Sequence, residues 1–412
     1  MKNSGVEWIG EIPDDWEVRK LKYLGDYING YAFKPEDWKS SGKRIIRIQD
    51  LTSTNENPNY YSEELDKCYE VNRGDILVSW AATLDAFIWE QETGWLNQHI
   101  FKAEPFEKII NKSFFFWLIK ESMKNMNNDN KHGIVMQHVT LGVFNNFEVP
   151  LPPKETQQKI ASYLDSKCSK IEETIQNQQQ VIEKLKACKQ SLITEAITGK
   201  IKIQNEIPDF KYCNLGFIAE FKNGLNYNAS DFGNEVKFLG VGDFQNYLVL
   251  DDESMFSNII TDTEIEDDYY LKNGDIIFVR SNGSKELVGR AIMVNNINFK
   301  VTYSGFCIRL RNKEPQKINS KFLLYFFRSD YFRSELQRLS QGSNISNINQ
   351  DLLSHIKIPL VDMEFQKNVI QFLSRKCTAI DNAIEQKQNL IEKLTEYKKS
   401  LIYECVTGKK EI

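Results

Sequence analysis

The chain has 412 residues, 41% of them hydrophobic and 26% charged, with a formal net charge of −5. That length leaves room for two or three domains, and no apolar run approaches the length of a membrane span or a signal-peptide core. Seven cysteines are scattered with no C-x-x-C pair and four histidines form no ligand-spaced group, so neither a disulfide framework nor a zinc site is expected, and a reducing cytoplasm fits best. The acidic total does not exclude a nucleic-acid partner: residues 206–268 carry 14 acidic and 3 basic groups, whereas 269–356 carry 13 basic and 6 acidic.

Residues 1–24 place Trp8-Ile-Gly-Glu-Ile-Pro13 and Trp16 among alternating polar positions, which reads as an arm packing back on a domain. Arg44-Ile-Ile-Arg-Ile-Gln49 is a strand by its β-branched alternation, and Arg73-Gly-Asp-Ile-Leu-Val-Ser-Trp80 is a turn and a second strand. Gly94-Trp-Leu-Asn-Gln-His-Ile-Phe101 reads as a third strand, and Ser113–Lys120 as a short aromatic core helix. A strand at Phe147–Pro150 then leads into a long polar-apolar run that starts after Pro152-Pro153 and ends at Gly199, the positions where helices start and stop. Residues 206–359 repeat this order with weaker identity. Val236–Asp243 answers Arg44–Asp50, Asn273–Arg280 answers Arg73–Trp80, Val301–Ile308 answers Trp95–Lys102, and Lys321–Arg328 answers the aromatic helix.

The long run itself recurs without a gap. Between Phe147–Lys200 and Ile356–Lys409, 22 of 54 aligned positions are identical, so the unit is duplicated. In the first copy Leu164, Cys168, Ile171, Ile175, Gln178, Ile182, Leu185, Lys189, Leu192 and Ala196 are spaced by alternating fours and threes. Leu373, Cys377, Ile380, Ile384, Lys387, Ile391, Leu394, Lys398, Leu401 and Cys405 repeat that spacing in the second. This is a coiled-coil seam broken by a polar residue at the same two places in both copies. Some 43 residues at 1.5 Å each give about 65 Å, longer than a compact domain covers. Two copies pairing with each other about a pseudo-two-fold would be antiparallel. The expected fold is therefore mixed α/β (α+β): a first head over 1–150, a long helix over 151–203, a second head over 204–359 and a second helix over 360–412. The helices match closely while the heads match only in pattern, as two variable readers on a fixed frame would.

At this point the chain resembles the DNA-specificity subunits of type I restriction-modification enzymes, over essentially its whole length. The resemblance rests on Ser4-Gly-Val-Glu-Trp-Ile-Gly-Glu-Ile-Pro13 with Trp16, the Gly-Asp-Ile turns at 74–76 and 274–276, and Leu96-Asn-Gln-His-Ile100. Arg280-Ser-Asn with Glu286-Leu-Val-Gly289, the Pro-Leu-Pro-Pro segment at 150–153 and the two Thr-Gly-Lys helix ends complete it. The second helix start departs from the pattern, with Pro359-Leu-Val-Asp-Met363 lacking the paired prolines and Phe365-Gln366 in place of Glu-Gln. The resemblance implies two target-recognition domains, each reading half of a split sequence in the major groove of double-stranded DNA, and a helical spacer that docks two methylation subunits. Those would carry the restriction subunits, and S-adenosylmethionine, ATP and magnesium would belong to the partners.

The residues offer no competing chemistry. Asn57-Pro-Asn-Tyr60 lacks the second proline of an adenine clamp, no G-x-G loop opens a helix, and Thr198-Gly-Lys200 lacks the rest of a phosphate loop. Glu235-Val-Lys237 with Asp231 or Asp209 upstream is a nuclease-like spacing common by chance. No catalytic or metal residue is therefore assigned, and the candidates are base readers, since Arg and Lys suit guanine, and Asn and Gln suit adenine. In the first head these are Ser79, Trp80, Asn97, Gln98 and His99, with Gln137 and His138. In the second they are Arg280, Ser281, Asn282, Lys285 and Ser304, with Arg290 on phosphate and Asn344 and Ser346 as weaker candidates. Two other readings stay open: a coiled-coil scaffold that binds no DNA, and the recognition half of a fused methyltransferase-nuclease.

Overall fold

The computed structural model describes residues 1–52, 57–129, 138–203, 209–226, 233–244, 247–262, 264–281, 287–340 and 347–412. The chain divides into two compact units, one of Met1–Gln178 with Asn389–Ile412 and one of Gln179–Gln388. Each unit is one head with the first half of one long helix and the second half of the other.

In the first head, β1 (Gly25–Asn29), β3 (Ile76–Ser79), β4 (Asp85–Ile88) and β6 (Ile100–Pro105) form an antiparallel sheet in the order β1-β6-β3-β4, whereas β2 (Lys43–Ile46) and β5 (Gly94–Leu96) pair in parallel in a second sheet. Helix α1 (Lys112–Asp129) packs Phe114, Phe115, Leu118 and Ile119 onto Ile76, Val78, Ala86 and Phe101 of the first sheet. Strand β7 (Glu148–Leu151) pairs with Glu17–Lys20, so the chain leaves the head beside its own N-terminal arm. That arm is core: Ile9, Ile12 and Trp16 are buried, and Trp8 stacks on Phe147 with centroids 5.5 Å apart.

The long helix α2 (Lys154–Ile197) follows, and then a second head of the same plan. There β8 (Ala219–Asn223), β10 (Ile276–Val279), β11 (Ala291–Val294) and β13 (Cys307–Asn312) run in the order β8-β13-β10-β11, with Val249–Leu250 added at the edge. Strands β9 (Asn234–Leu239) and β12 (Val301–Tyr303) pair in parallel in the other sheet. Helix α3 (Ser320–Phe327) buries six consecutive apolar and aromatic residues, and β14 (Lys357–Leu360) leads into the second long helix, α4 (Met363–Val406).

Two sequence-based expectations need correction. The stretch Gly94–Phe101 is not one strand but two, β5 and β6, in different sheets, and Val301–Ile308 splits likewise into β12 and β13. The switch occurs because another backbone crosses there. A Cβ on Gly30 would lie 2.1 Å from the Asn97 carbonyl oxygen, and one on Gly224 2.2 Å from that of Ser304, so only glycine fits against either turn. The predicted short aromatic helix also runs on to Asp129.

Within each unit the two helix halves run antiparallel. Leu164, Cys168 and Ile171 share a core with Leu401 and Cys405, and Ile193 and Ala196 share one with Leu373 and Cys377. Every seam position is buried or half-buried: Leu164, Ile171, Ile182, Leu373 and Leu401 are buried, and Ile175, Leu185, Leu192, Ile380, Ile384, Ile391 and Leu394 are half-buried. Among the seam's polar interruptions, Lys189 bonds Asp381 in one unit and Lys398 bonds Glu172 in the other. Both helices stop on a glycine in the left-handed region, Gly199 at φ 69° and Gly408 at φ 72°, where Lys200 and Lys409 donate back to Glu195 and Glu404. The two fold elements are thus α/β heads and an antiparallel helical coiled coil.

Candidate nucleic-acid interface

In each head three segments meet beside the sheet switch, and their backbones are wired identically. In the first head the Trp80 N–H donates to the His99 carbonyl (3.4 Å), the Trp80 carbonyl accepts from Val139 (3.1 Å), and Ala81 bridges His138. In the second the Arg280 N–H donates to the Phe306 carbonyl (2.7 Å), the Arg280 carbonyl accepts from Ile348 (2.9 Å), and Ser281 bridges Asn347. One frame therefore presents Trp80, His99 and His138 in one head and Arg280, Phe306 and Asn347 in the other.

The side chains differ in what they can do. Trp80 lies stacked on Phe101 and against His99 and His138, with centroids 5.9, 5.6 and 5.9 Å away, and its indole N–H has no hydrogen-bond acceptor among the described residues. His99 and His138 are exposed, each able to donate or accept at a base edge. Arg280 is half-buried and makes no side-chain hydrogen bond among the described residues, which leaves its guanidinium fork available to guanine. Phe306 is 57% exposed, an unusual position for a phenyl ring that has a core within reach.

Three predicted readers serve the frame instead. Ser79 is fully buried with its hydroxyl donating to the Ala81 carbonyl (3.2 Å), so it cannot meet a ligand. Asn97 and Ser304 occupy equivalent places in the two switch turns, both nearly buried. The Asn97 side-chain oxygen accepts the His99 N–H (3.3 Å) and the Ser304 hydroxyl accepts that of Phe306 (3.2 Å). They cap the turn that aims the next side chain but one. Gln98 is half-buried, its side-chain oxygen accepting the Phe33 N–H at 3.2 Å. Arg290 faces a cleft between the second head and the helices of its unit. Gln137, Asn282, Lys285, Asn344 and Ser346 lie outside the described residues.

Phe306 and Asn347 were missed by sequence reasoning: aligning Val301–Ile308 with Trp95–Lys102 sets Gly305 against His99, and only the shared backbone bonds of the two tips put Phe306 there. Among the described residues no group of three or more His, Cys, Asp or Glu is placed to hold a metal ion, and Lys237 of the nuclease-like tripeptide pairs with Glu253 at 3.5 Å. Nor is any helix among them long and apolar enough to cross a membrane.

Comparison with known proteins agrees with this architecture. The family model described as the type I restriction modification DNA specificity domain matches twice, over residues 13–184 and 208–396. The chain is 28% identical to the type I restriction enzyme MjaVIII specificity subunit of Methanocaldococcus jannaschii, across 97% of this chain and 93% of that one. It is 23% identical to the EcoBI specificity subunit of Escherichia coli, across 98% and 88%. Among solved structures, a chain of a type I R-M system superposes with a TM-score of 0.74 at 15% identity, covering 97% of this chain and all of that one. The HsdS subunit from Thermoanaerobacter tengcongensis superposes with a TM-score of 0.53 at 15% identity, covering 97% and 98%. With two matched domains spanning most of its length, this chain belongs to the DNA-specificity subunit family of type I restriction-modification systems.

Proposed function

We propose that this chain recognises a two-part sequence in double-stranded DNA, with the Trp80–His99–His138 tip reading one half and the Arg280–Phe306–Asn347 tip reading the other. The observation that carries the reading is the repeated tip: the backbone frame is the same in both heads while the presented side chains are different. A protein that must read two unlike half-sites with one scaffold needs that combination. Arg280 supplies a bidentate donor for guanine, the histidines supply donors or acceptors for base edges, and Phe306 supplies an apolar contact for a thymine methyl.

The long helices fix the distance between half-sites and dock two methylation subunits, which in turn carry the restriction subunits. The chain is the non-catalytic reader of that assembly. The methyl donor S-adenosylmethionine, ATP and magnesium then sit on the partners. Its seven unpaired cysteines suit a reducing cytoplasm.

Binding of the chain, with its methylation subunit, to duplex DNA bearing the split site is expected to weaken steeply as salt rises, with scrambling of either half-site costing affinity. Salt-insensitive or undetectable duplex binding by a well-formed complex would refute the reading.

A further inference from the structure

In both heads the switch turn is flanked by two positions, one on each side, and each head puts an arginine at only one of them. On one side the turn is bonded by Trp80 in the first head and by Arg280 in the second. On the other it bonds the end of the parallel strand. The Asn97 N–H donates to the Ile46 carbonyl (3.3 Å), and the Ser304 N–H donates to that of Leu239 (3.0 Å). The residue that follows the strand is Arg47 in the first head and Gly240 in the second. A further shared bond fixes their equivalence, since the Arg47 N–H donates to the Asp50 carboxylate (2.8 Å) and the Gly240 N–H to that of Asp243 (2.6 Å). The first head thus carries Trp80 and Arg47 beside its turn, and the second carries Arg280 and Gly240.

The Arg47 side chain is positioned without being neutralised. Its guanidinium carbon lies over the Trp38 ring, 4.9 Å from the centroid, and the side chain has no hydrogen-bond acceptor or carboxylate partner among the described residues. Asp50, three residues on, is buried and bonds the Arg44 side chain and the Arg47 backbone. Trp38 is itself fixed on both sides. Before it, Pro35–Asp37 form a single 3-10 turn closed by the Lys34 N–H on the Asp37 carboxylate (2.7 Å), and after it Lys39 and Tyr60 exchange backbone bonds (2.9 and 3.1 Å). Its ring is nonetheless 41% exposed. An indole anchored through its neighbours and open on the surface is a platform, limiting where the guanidinium can lie while the N–H donors stay available.

We propose, resting on the recognition reading, that Arg47 held on Trp38 reads a guanine in the half-site of the first head, donating to its O6 and N7. A base contact suits the arrangement better than a phosphate contact. Phosphate accepts a point charge on a mobile stem, whereas a bidentate bond to one base edge requires the fork to be held in place. The Trp80–His99–His138 tip contains no arginine or lysine, so Arg47 gives the first head the guanidinium that Arg280 gives the second. The second head, with Gly240, has no side chain to offer on that side of its turn.

The test expresses the full chain with its methylation subunit in a methylation-free host, whose genome is the probe, and maps modified adenines for wild type, Arg47→Gln, Arg47→Lys and Trp38→Leu. The half-site altered by exchange of residues 1–146 should contain a guanine that Arg47→Gln no longer requires. Discrimination at that position is expected to fall by roughly 5- to 150-fold while the other half-site keeps its bases. Arg47→Lys keeps the charge but not the fork, and should relax the same position in part. Trp38→Leu should also relax it in part, and add nothing there in the Arg47→Gln background. The melting temperature of Arg47→Gln should match wild type, since the replaced side chain bonds nothing else in the fold. A split motif as strict at every position in Arg47→Gln as in wild type overturns the role of Arg47 and leaves the recognition reading standing. Fewer modified sites with an unchanged motif mark a phosphate contact and overturn it equally. No split motif from the wild-type complex overturns the recognition reading, and the role of Arg47 with it.

Discussion

Gln366 accepts the backbone N–H of Asn319 at 2.8 Å while its own amide nitrogen donates to the carbonyls of Lys317 (2.9 Å) and Val361 (2.8 Å). Gln157 does the same in the other unit, accepting from Asn111 (2.7 Å) and donating to Ile109 (3.3 Å) and Pro152 (2.9 Å). Both amides are buried at the first turn of a long helix and join it to the turn before a head helix. Replacing Gln366 with Leu removes the partner of one N–H and two carbonyls, only that of Val361 in a fully buried bond, an expected cost of about 2–4 kcal/mol. Urea denaturation and hydrogen exchange at Asn319 measure it; a loss under about 0.5 kcal/mol would show that the latch does not hold the head.

The seam's ion pairs are expected to matter less for stability. Lys189–Asp381 and Lys398–Glu172 are repeat equivalents, and the acid is half-exposed in both, with relative side-chain exposures of 53% and 56%. Asp381→Asn should cost no more than about 1 kcal/mol, and Asp381→Lys slightly more, with Lys189→Asp restoring the pair. A double-mutant cycle on thermal stability reads the coupling; a value above about 2 kcal/mol would mean the seam depends on these charges.

Thiol chemistry gives an independent check of the packing. Burial pushes the Cys307 and Cys405 thiols up to about 12 and that of Cys168 to about 11, so at about pH 8 they stay protonated as well as covered. Cys188 is exposed, as is Cys68, whose thiol is raised first by burial and then by the Asp66 carboxylate. Alkylation of the native chain followed by mass spectrometry should modify Cys188 first, Cys68 more slowly, and the buried Cys168, Cys307, Cys377 and Cys405 only on unfolding. Early labelling of Cys168 or Cys405 would place the helix seam in error.

At the reading tips, Arg280→Ala is expected to weaken binding to the half-site of the second head by about 1–3 kcal/mol and to relax one base position there. His99→Ala should act on the other half-site alone. Competition with single-base variants of the target separates the two; an equal loss at both half-sites would deny the tips independent roles.

The long helices were legible because a gapless repeat with apolar residues at fours and threes admits few other structures. The polar breaks at Lys189 and Lys398 were visible too, but their partners depend on the antiparallel register, which spacing alone does not state. The heads were legible as strand order and not as sheets. Gly94–Phe101 alternates like one strand, and only the crossing backbone at Gly30 reveals the break at Asn97. That break decides which side chains are presented, since it turns Asn97 and Ser304 inward as caps and leaves His99 and Phe306 exposed.

The most direct measurement is to express the chain with its methylation subunit in a methylation-free host and map modified adenines across the genome. Two short half-sites around a fixed gap are predicted, and exchange of residues 1–146 for another head should alter one half-site while the other persists. Modified adenines with no split motif, or none at all from an assembled complex, would contradict the two-part reading at its centre.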